Sequence, residues 1–180
     1  MNHVFIYALP TSQEKDARIL EIAAARVSGF GPYRKTHIQV AYSDTNANPD
    51  MMKTFYSRIF TSEPFVLVSF QKEITRALLR IENEKLGLED KFSGRSWLDI
   101  SDLAWPLVVS GQLKSRTLEA LSTHFGVMLG TNPDSGDIVT TLLSVYGGMM
   151  RRYNTALKGE SMLREVGGET LQNVRDMLGF

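Results

Sequence analysis

Residues 97–127 read WLDISDLAWPLVVSGQLKSRTLEALSTHFGV, and this stretch decides how the second half of the chain is organised. It begins with extended character and is predicted to become helical or irregular before Pro106. Ser115 is a residue type that caps helices, so we expect a helix after it that buries Leu118 and Leu121. A longer helix is predicted over residues 136–153, with four buried apolar residues, namely Ile138, Leu142, Val145 and Met149.

The segments on the N-terminal side of this stretch are apolar runs separated by turn-forming residues. Four of them are candidate strands of one sheet: VFIYAL (4–9), ARILEIAAARV (17–27), THIQVAY (36–42) and PFVLVSF (64–70). The second is ambiguous, because its alanines favour a helix while its β-branched residues favour a strand. Early strands with interleaved helices predict an α/β or α+β domain built on a mixed sheet.

Two helices are predicted around the fourth strand. Pro49 can occupy the first turn of a short helix that ends near residue 60. Residues 71–86 form the second, with one face made of apolar residues, namely Ile74, Ala77, Leu78 and Ile81. The opposite face carries cations at a spacing of four, namely Lys72, Arg76 and Arg80.

Composition limits the classes of protein to which this chain can belong. Its 180 residues, 43% of them hydrophobic, are enough to bury the core of one domain. Twenty basic residues balance twenty acidic ones, so no overall charge attracts nucleic acid or membranes. The absence of cysteine excludes a disulfide framework, a thiolate metal site and a cysteine nucleophile. No signal peptide and no apolar run of the ~20 residues needed to span a bilayer are recognisable, which predicts a soluble cytoplasmic protein without a membrane partner.

The quoted stretch, together with GDIVTTLLSVYGGMMRRY at residues 136–153, resembles the C-terminal half of DEDD-type 3′–5′ exonucleases, the DnaQ-like family. DARILEIAAARV also resembles the family's second strand, which favours a strand there. The resemblance covers residues 3–155. It implies a ribonuclease H-like fold, in which helices flank a mixed β-sheet in a single domain. Asp99 and Asp102 match a family segment that is structural rather than catalytic.

Family chemistry requires four carboxylates that hold two divalent metal ions, and one subclass adds a histidine base. The first motif, Asp-x-Glu, falls on Ala8 and Pro10. The second places Gln71 at its acid, with Glu73 the nearest carboxylate. The last places Asn132 at the histidine and retains one acid, namely Asp137.

The remaining candidates each have a structural explanation as well. Asp137 and Glu73 lie near predicted helix starts, where a carboxylate is favoured by the helix dipole. As nucleic-acid contacts we single out Thr11, Ser12, Lys72 and Arg76, although the two cations also suit a solvated helix face.

Two functions follow from the resemblance. The first is a catalytically degenerate exonuclease-fold protein that binds a single-stranded DNA or RNA end, or a protein partner, and needs no cofactor. The second is an active 3′–5′ exonuclease that uses Mg²⁺ or Mn²⁺ through relocated ligands, such as Glu73, Asp134 and Asp137. A purely structural subunit is a third option.

The chain is predicted to divide into an exonuclease-like domain, residues 1–156, and a helical extension, residues 157–180. Within the extension, residues 169–178 have the apolar spacing of an amphipathic helix.

Overall fold

The computed structural model describes residues 2–11, 18–28, 36–41, 49–59 and 64–166. Strands dominate the first half of the chain and helices the second. The elements are, in order, β1 (Asn2–Pro10), β2 (Ile19–Ser28), β3 (Thr36–Ala41), α1 (Pro49–Ile59), β4 (Phe65–Ser69), α2 (Lys72–Leu86), β5 (Trp97–Asp99), α3 (Ile100–Leu103), α4 (Trp105–Val109), α5 (Leu118–His124) and α6 (Ser135–Val166).

The sheet has five strands in the order β3-β2-β1-β4-β5. β1 pairs antiparallel with β2 and parallel with β4, while β3 extends the antiparallel side and β5 the parallel side. The ambiguous segment is therefore a strand, and all four predicted strands are confirmed. This mixed sheet with flanking helices is the predicted α/β fold.

Alternation along β1 divides the apolar residues between the two faces of the sheet. Val4, Ile6 and Ala8 belong to a buried cluster that includes α1 residues such as Phe55 and α2 residues such as Leu79. The other face of β1 carries Phe5 and Tyr7. The predicted burial of Ile138, Leu142 and Val145 in α6 is confirmed.

The buried face of α2 differs from the predicted one. Ile74 is 51% exposed, and the buried positions are Thr75, Leu78, Leu79, Glu82 and Asn83. The polar members are buried because distant residues satisfy them. Arg18 donates from Nη2 and Nε to Glu82 at 2.6 and 3.1 Å, and Tyr56 donates its hydroxyl to Asn83. Apolar periodicity therefore predicted the burial of Leu78 correctly and was wrong for Ile74 and Ala77, which are exposed.

The cap of α5 is Thr117 rather than the predicted Ser115. Thr117 has extended backbone dihedrals, and its side chain accepts a hydrogen bond from the Ala120 N–H at 3.3 Å. The Ser115 hydroxyl lies 3.3 Å from the Thr117 hydroxyl, one step before the cap. The helix therefore begins two residues later than a Ser115 cap would place it.

The last helix is longer than predicted, because α6 continues beyond residue 153 to Val166. The chain divides into two compact units, residues 1–145 and 146–180, and the first contains the whole sheet. The domain boundary at residue 156 stays a prediction, and the helix predicted at 169–178 lies outside the described residues. Among the helices that the structure describes, none combines the length and apolarity needed to cross a membrane.

Candidate nucleic-acid interface

A cavity of about 490 Å³ opens where the parallel strands β1, β4 and β5 approach their carboxyl ends. This edge of an α/β sheet is where ligands usually bind. We call it the strand-end pocket. Its walls come from β1, from the residues after β4 and β5, and from the starts of α5 and α6, and its lining residues are Tyr7, Phe70, Gln71, Ser101, Arg116, Thr117, Leu118, Glu119, Leu129, Pro133 and Ile138.

β1 contributes Tyr7 to this pocket and turns Ala8 away from it. Ala8 is 2% exposed and lies in the core beneath α1 and α2. Pro10 is half-buried at the end of the strand. Thr11 is exposed, and its hydroxyl accepts a hydrogen bond from the Arg18 N–H at 3.0 Å. Ser12 lies outside the described residues, so its assignment as a nucleic-acid contact stays a prediction.

Burial raises the pKa of the Tyr7 phenol above its usual value of 10.0. The group therefore keeps its proton at physiological pH and can act both as a hydrogen-bond donor and as an acceptor. It offers no negative charge to a metal ion under these conditions.

Gln71 stands between β4 and α2 in the left-handed region, with φ 53° and ψ 59°. It is the one non-glycine residue with positive φ in the described part of the chain. Asp99, at the end of β5, holds this conformation. Its carboxylate accepts hydrogen bonds from the backbone N–H groups of Gln71 at 3.2 Å, Lys72 at 2.8 Å and Ser101 at 2.8 Å, and from the Ser101 hydroxyl at 2.7 Å.

This arrangement explains the role of Asp99 and the backbone conformation of Gln71. Asp99 accepts hydrogen bonds from the first backbone N–H groups of α2, although it lies on a neighbouring strand. This role is usually filled by the residue that directly precedes a helix in sequence. A non-glycine residue with positive φ is strained, and such strain persists where surrounding contacts enforce it, often at binding sites. Asp99 is thus structural in its contacts, and it directs Gln71 to the pocket.

A charged cluster joins the pocket to the outer surface. Lys72 Nζ lies 3.2 Å from Asp102 Oδ2, and Arg116 Nη1 lies 3.7 Å from Asp102 Oδ1. The Arg116 guanidinium also lies 5.1 Å from the centre of the Trp105 ring. We call Lys72, Asp102, Trp105 and Arg116 the rim cluster.

The carboxylates at the start of α6 are engaged in helix capping. The Asp137 N–H donates to Asp134 Oδ1 at 2.8 Å, and the Asp134 N–H donates to Asp137 Oδ2 at 3.3 Å. This is a reciprocal capping arrangement. Glu21 of β2 accepts a hydrogen bond from the next N–H, that of Ser135, at 3.0 Å. Asn132, just upstream, is exposed.

Glu73 and Arg76 lie at a different surface. They form an exposed ion pair of 3.3 Å on α2 and line a second cavity of about 380 Å³ with Arg80 and Asp90. No described lining residue is common to the two cavities. The structure therefore places Gln71 in the strand-end pocket and Lys72 in the adjoining rim cluster. Arg76 and Glu73 lie at the second cavity.

The donor set of the strand-end pocket does not fit the two-metal centre that the resemblance implies. Hard divalent ions need several oxygen ligands, and paired sites need bridging carboxylates. Glu119 is the sole carboxylate in the described lining. Within residues 2–11, 18–28, 36–41, 49–59 and 64–166, no three His, Asp or Glu side chains are grouped so that they could hold an ion.

The sequence patterns did not single out Tyr7, Glu21, Arg116 and Glu119. Two of them, Tyr7 and Glu21, depend on the register of β1 and β2. Alternation places Tyr7 and its neighbour Leu9 on one face of β1, and antiparallel pairing places Glu21 opposite Leu9. Arg116 and Glu119 lie at the start of α5, and they reach the pocket because the tertiary fold brings that helix start to the sheet edge.

The sequence has no match among protein-family models or among curated proteins. Solved structures do resemble it. E. coli exonuclease I in complex with a dT13 oligonucleotide matches at a TM-score of 0.62 and 12% identity over 96% of this chain. This chain spans 45% of the length of that enzyme.

Two smaller exonucleases also match. A 3′-exonuclease solved in recognition of the histone mRNA stem-loop matches at a TM-score of 0.59 and 10% identity, over 84% of this chain and 81% of the other. Exonuclease X in complex with 5′-overhanging duplex DNA matches at a TM-score of 0.50 and 15% identity, over 83% of this chain and 92% of the other. The chain therefore has the fold of DnaQ-like 3′-exonucleases.

Proposed function

We propose that this protein binds the end of a single-stranded DNA or RNA in the strand-end pocket without hydrolysing it. The observation that carries the proposal is the lining of that pocket. It combines aromatic rings, an amide, hydroxyl groups and an arginine at the sheet edge where a ligand is expected. The similar structures include exonucleases complexed with a DNA oligonucleotide and with a duplex overhang, which supports a nucleic-acid ligand.

The chemistry of the lining suits a nucleotide. Phe70 and Tyr7 provide aromatic surface for a base, and stacking of this kind tolerates any base. The Gln71 amide and the Tyr7 phenol can form hydrogen bonds with base or sugar groups. Arg116 can accompany a phosphate, since its guanidinium is a planar donor that suits phosphate oxygens.

The contacts of the acidic groups support binding without hydrolysis. Asp137 and Asp134 cap α6 reciprocally, and Glu73 pairs with Arg76 at the other cavity. If these carboxylates were to bind two metal ions, each carboxylate would have to leave its present hydrogen-bond or ion-pair partner. Glu119 alone lacks the number of charged oxygens that such ions need.

The test measures fluorescence anisotropy of 5′-labelled oligothymidylate and oligouridylate with the full chain. We expect Gln71→Ala and Tyr7→Phe to weaken binding, while Arg80→Ala at the second cavity leaves it unchanged. A circular strand of the same sequence should bind more weakly than a linear one, because it has no end to insert. Equal affinity for linear and circular strands would contradict recognition of an end.

Hydrolysis is tested separately with Mg²⁺ and Mn²⁺ on end-labelled strands, with Asp137→Ala beside the unchanged chain. We expect no turnover in either. Degradation that disappears in the Asp137→Ala variant would establish the exonuclease function instead. An absence of nucleic-acid binding by the unchanged chain would overturn the proposal and direct attention to a protein partner.

A further inference from the structure

Trp105 is unusually exposed for its size, and it lies next to the strand-end pocket. It opens α4 with 53% of its surface accessible, and Val109, one turn later, is 68% exposed. Arg116 connects the two features, because it lines the pocket and also lies 5.1 Å from the Trp105 ring centre. A ligand that fills the pocket and continues outward at Arg116 therefore meets Trp105.

The rim cluster offers two cations to an anionic ligand. Lys72 and Arg116 share one carboxylate, that of Asp102, so these three groups carry a net charge of +1. Side-chain exposures are 29% for Lys72 and 45% for Arg116, so both cations can be reached from solvent. A lysine offers three donors and an arginine five, and one contact to Asp102 leaves others for phosphate oxygens.

From this geometry we infer that the rim cluster binds the nucleotides that precede the strand end. The base next to the terminal nucleotide stacks on Trp105, and the linking phosphate lies between Lys72 and Arg116. The inference rests on the proposed function and adds a binding surface to it. An exposed aromatic ring beside cations is the usual composition of surfaces that hold single strands.

The expected effect is a dependence of affinity on strand length that requires Trp105. Loss of one base–aromatic stack weakens binding about 5- to 150-fold, which corresponds to ~1–3 kcal/mol. A mononucleotide cannot reach the platform, so its affinity should not depend on Trp105. Affinity for nucleic acid decreases as the salt concentration rises. Removing one phosphate contact reduces the magnitude of the slope of log affinity against log salt by about 1.

The experiment compares thymidine monophosphate with a short oligothymidylate by calorimetry. In the unchanged chain the oligonucleotide should bind more tightly. Trp105→Ala should reduce that gain by about 5- to 150-fold and leave the mononucleotide affinity unchanged, whereas Trp105→Phe should retain the gain. Val109→Ala, on the same helix, is the matched control. Lys72→Gln should reduce the salt slope for the oligonucleotide.

The outcomes separate this inference from the proposed function. If the unchanged chain binds the oligonucleotide more tightly and Trp105→Ala does not alter the gain, the platform is refuted while binding at the pocket stands. If the unchanged chain binds neither ligand, both proposals fail. Equal losses in Trp105→Ala and Val109→Ala would also refute the platform, because they would indicate a general disturbance of α4.

Discussion

Replacing Gln71 by glycine and by alanine tests the strained turn between β4 and α2. Both variants lack the side chain, so they differ only in how readily residue 71 adopts its φ of 53°. For a non-glycine residue the left-handed conformation costs ~1–2 kcal/mol. Glycine avoids this cost but loses ~0.5–1 kcal/mol more entropy on folding. We therefore expect Gln71→Gly to be more stable than Gln71→Ala by about 1 kcal/mol, or roughly 2–4 °C in melting temperature.

The same pair of substitutions at Arg76 provides the control. Arg76 is exposed in the interior of α2, where glycine is less favourable than alanine by about 1 kcal/mol. The sign of the difference should thus reverse between positions 71 and 76, as measured by urea unfolding. If glycine is the less stable residue at both positions, the left-handed conformation of Gln71 is wrong, and so is the role assigned to Asp99.

Three further predictions concern stability. Arg18→Met removes the ion-pair partner of the Glu82 carboxylate, whose side chain is 1% exposed. The free energy of unfolding, measured with urea, should decrease by ~3 kcal/mol, and adding Glu82→Leu should largely restore it. Thr117→Ala should lower the free energy of unfolding by ~1 kcal/mol through loss of the α5 cap, and Ser115→Ala should leave it nearly unchanged. Burial, and secondarily the positive amino terminus, lower the pKa of His3 in the folded chain below 6.5. As the pH falls, His3 is therefore protonated in the unfolded chain before it is protonated in the folded chain. The free energy of unfolding should therefore decrease below pH 6.5, and less so in His3→Asn, as urea titrations on either side of that pH would show.

The elements of the sheet were predictable because their signals are local. β1 and β4 are short apolar runs bounded by turn formers, and both lie within a residue or two of the predicted segments. The strand at 19–28 was decided by resemblance, since alanine-rich apolar runs carry mixed propensities.

The buried face of α2 was not predictable in this way. Glu82 is buried because Arg18, 64 residues earlier in the chain, supplies its counter-charge. Asn83 depends similarly on Tyr56. Periodicity treats such positions as exposed, because it does not register partners that are distant in sequence.

The site was predictable only in outline. The resemblance placed degenerate motif positions at the end of β1 and at Gln71, and the structure places Gln71 in the pocket. Which β1 side chain enters the pocket depends on register, and a shift by one residue exchanges the faces of a strand. Ala8 and Tyr7 illustrate that exchange.

The orientation of Ala8 restricts how this scaffold could acquire a metal centre. Its side chain lies in the apolar core beneath α1 and α2. An aspartate introduced there by Ala8→Asp would bury a carboxylate among apolar side chains, and such a group is costly to ionise. Restoring the aspartate of the first motif at Ala8 would therefore destabilise the fold and would not place a carboxylate in the pocket. Design of a nuclease on this fold would have to begin at Tyr7 and would also need a new cap for α6 to release Asp137.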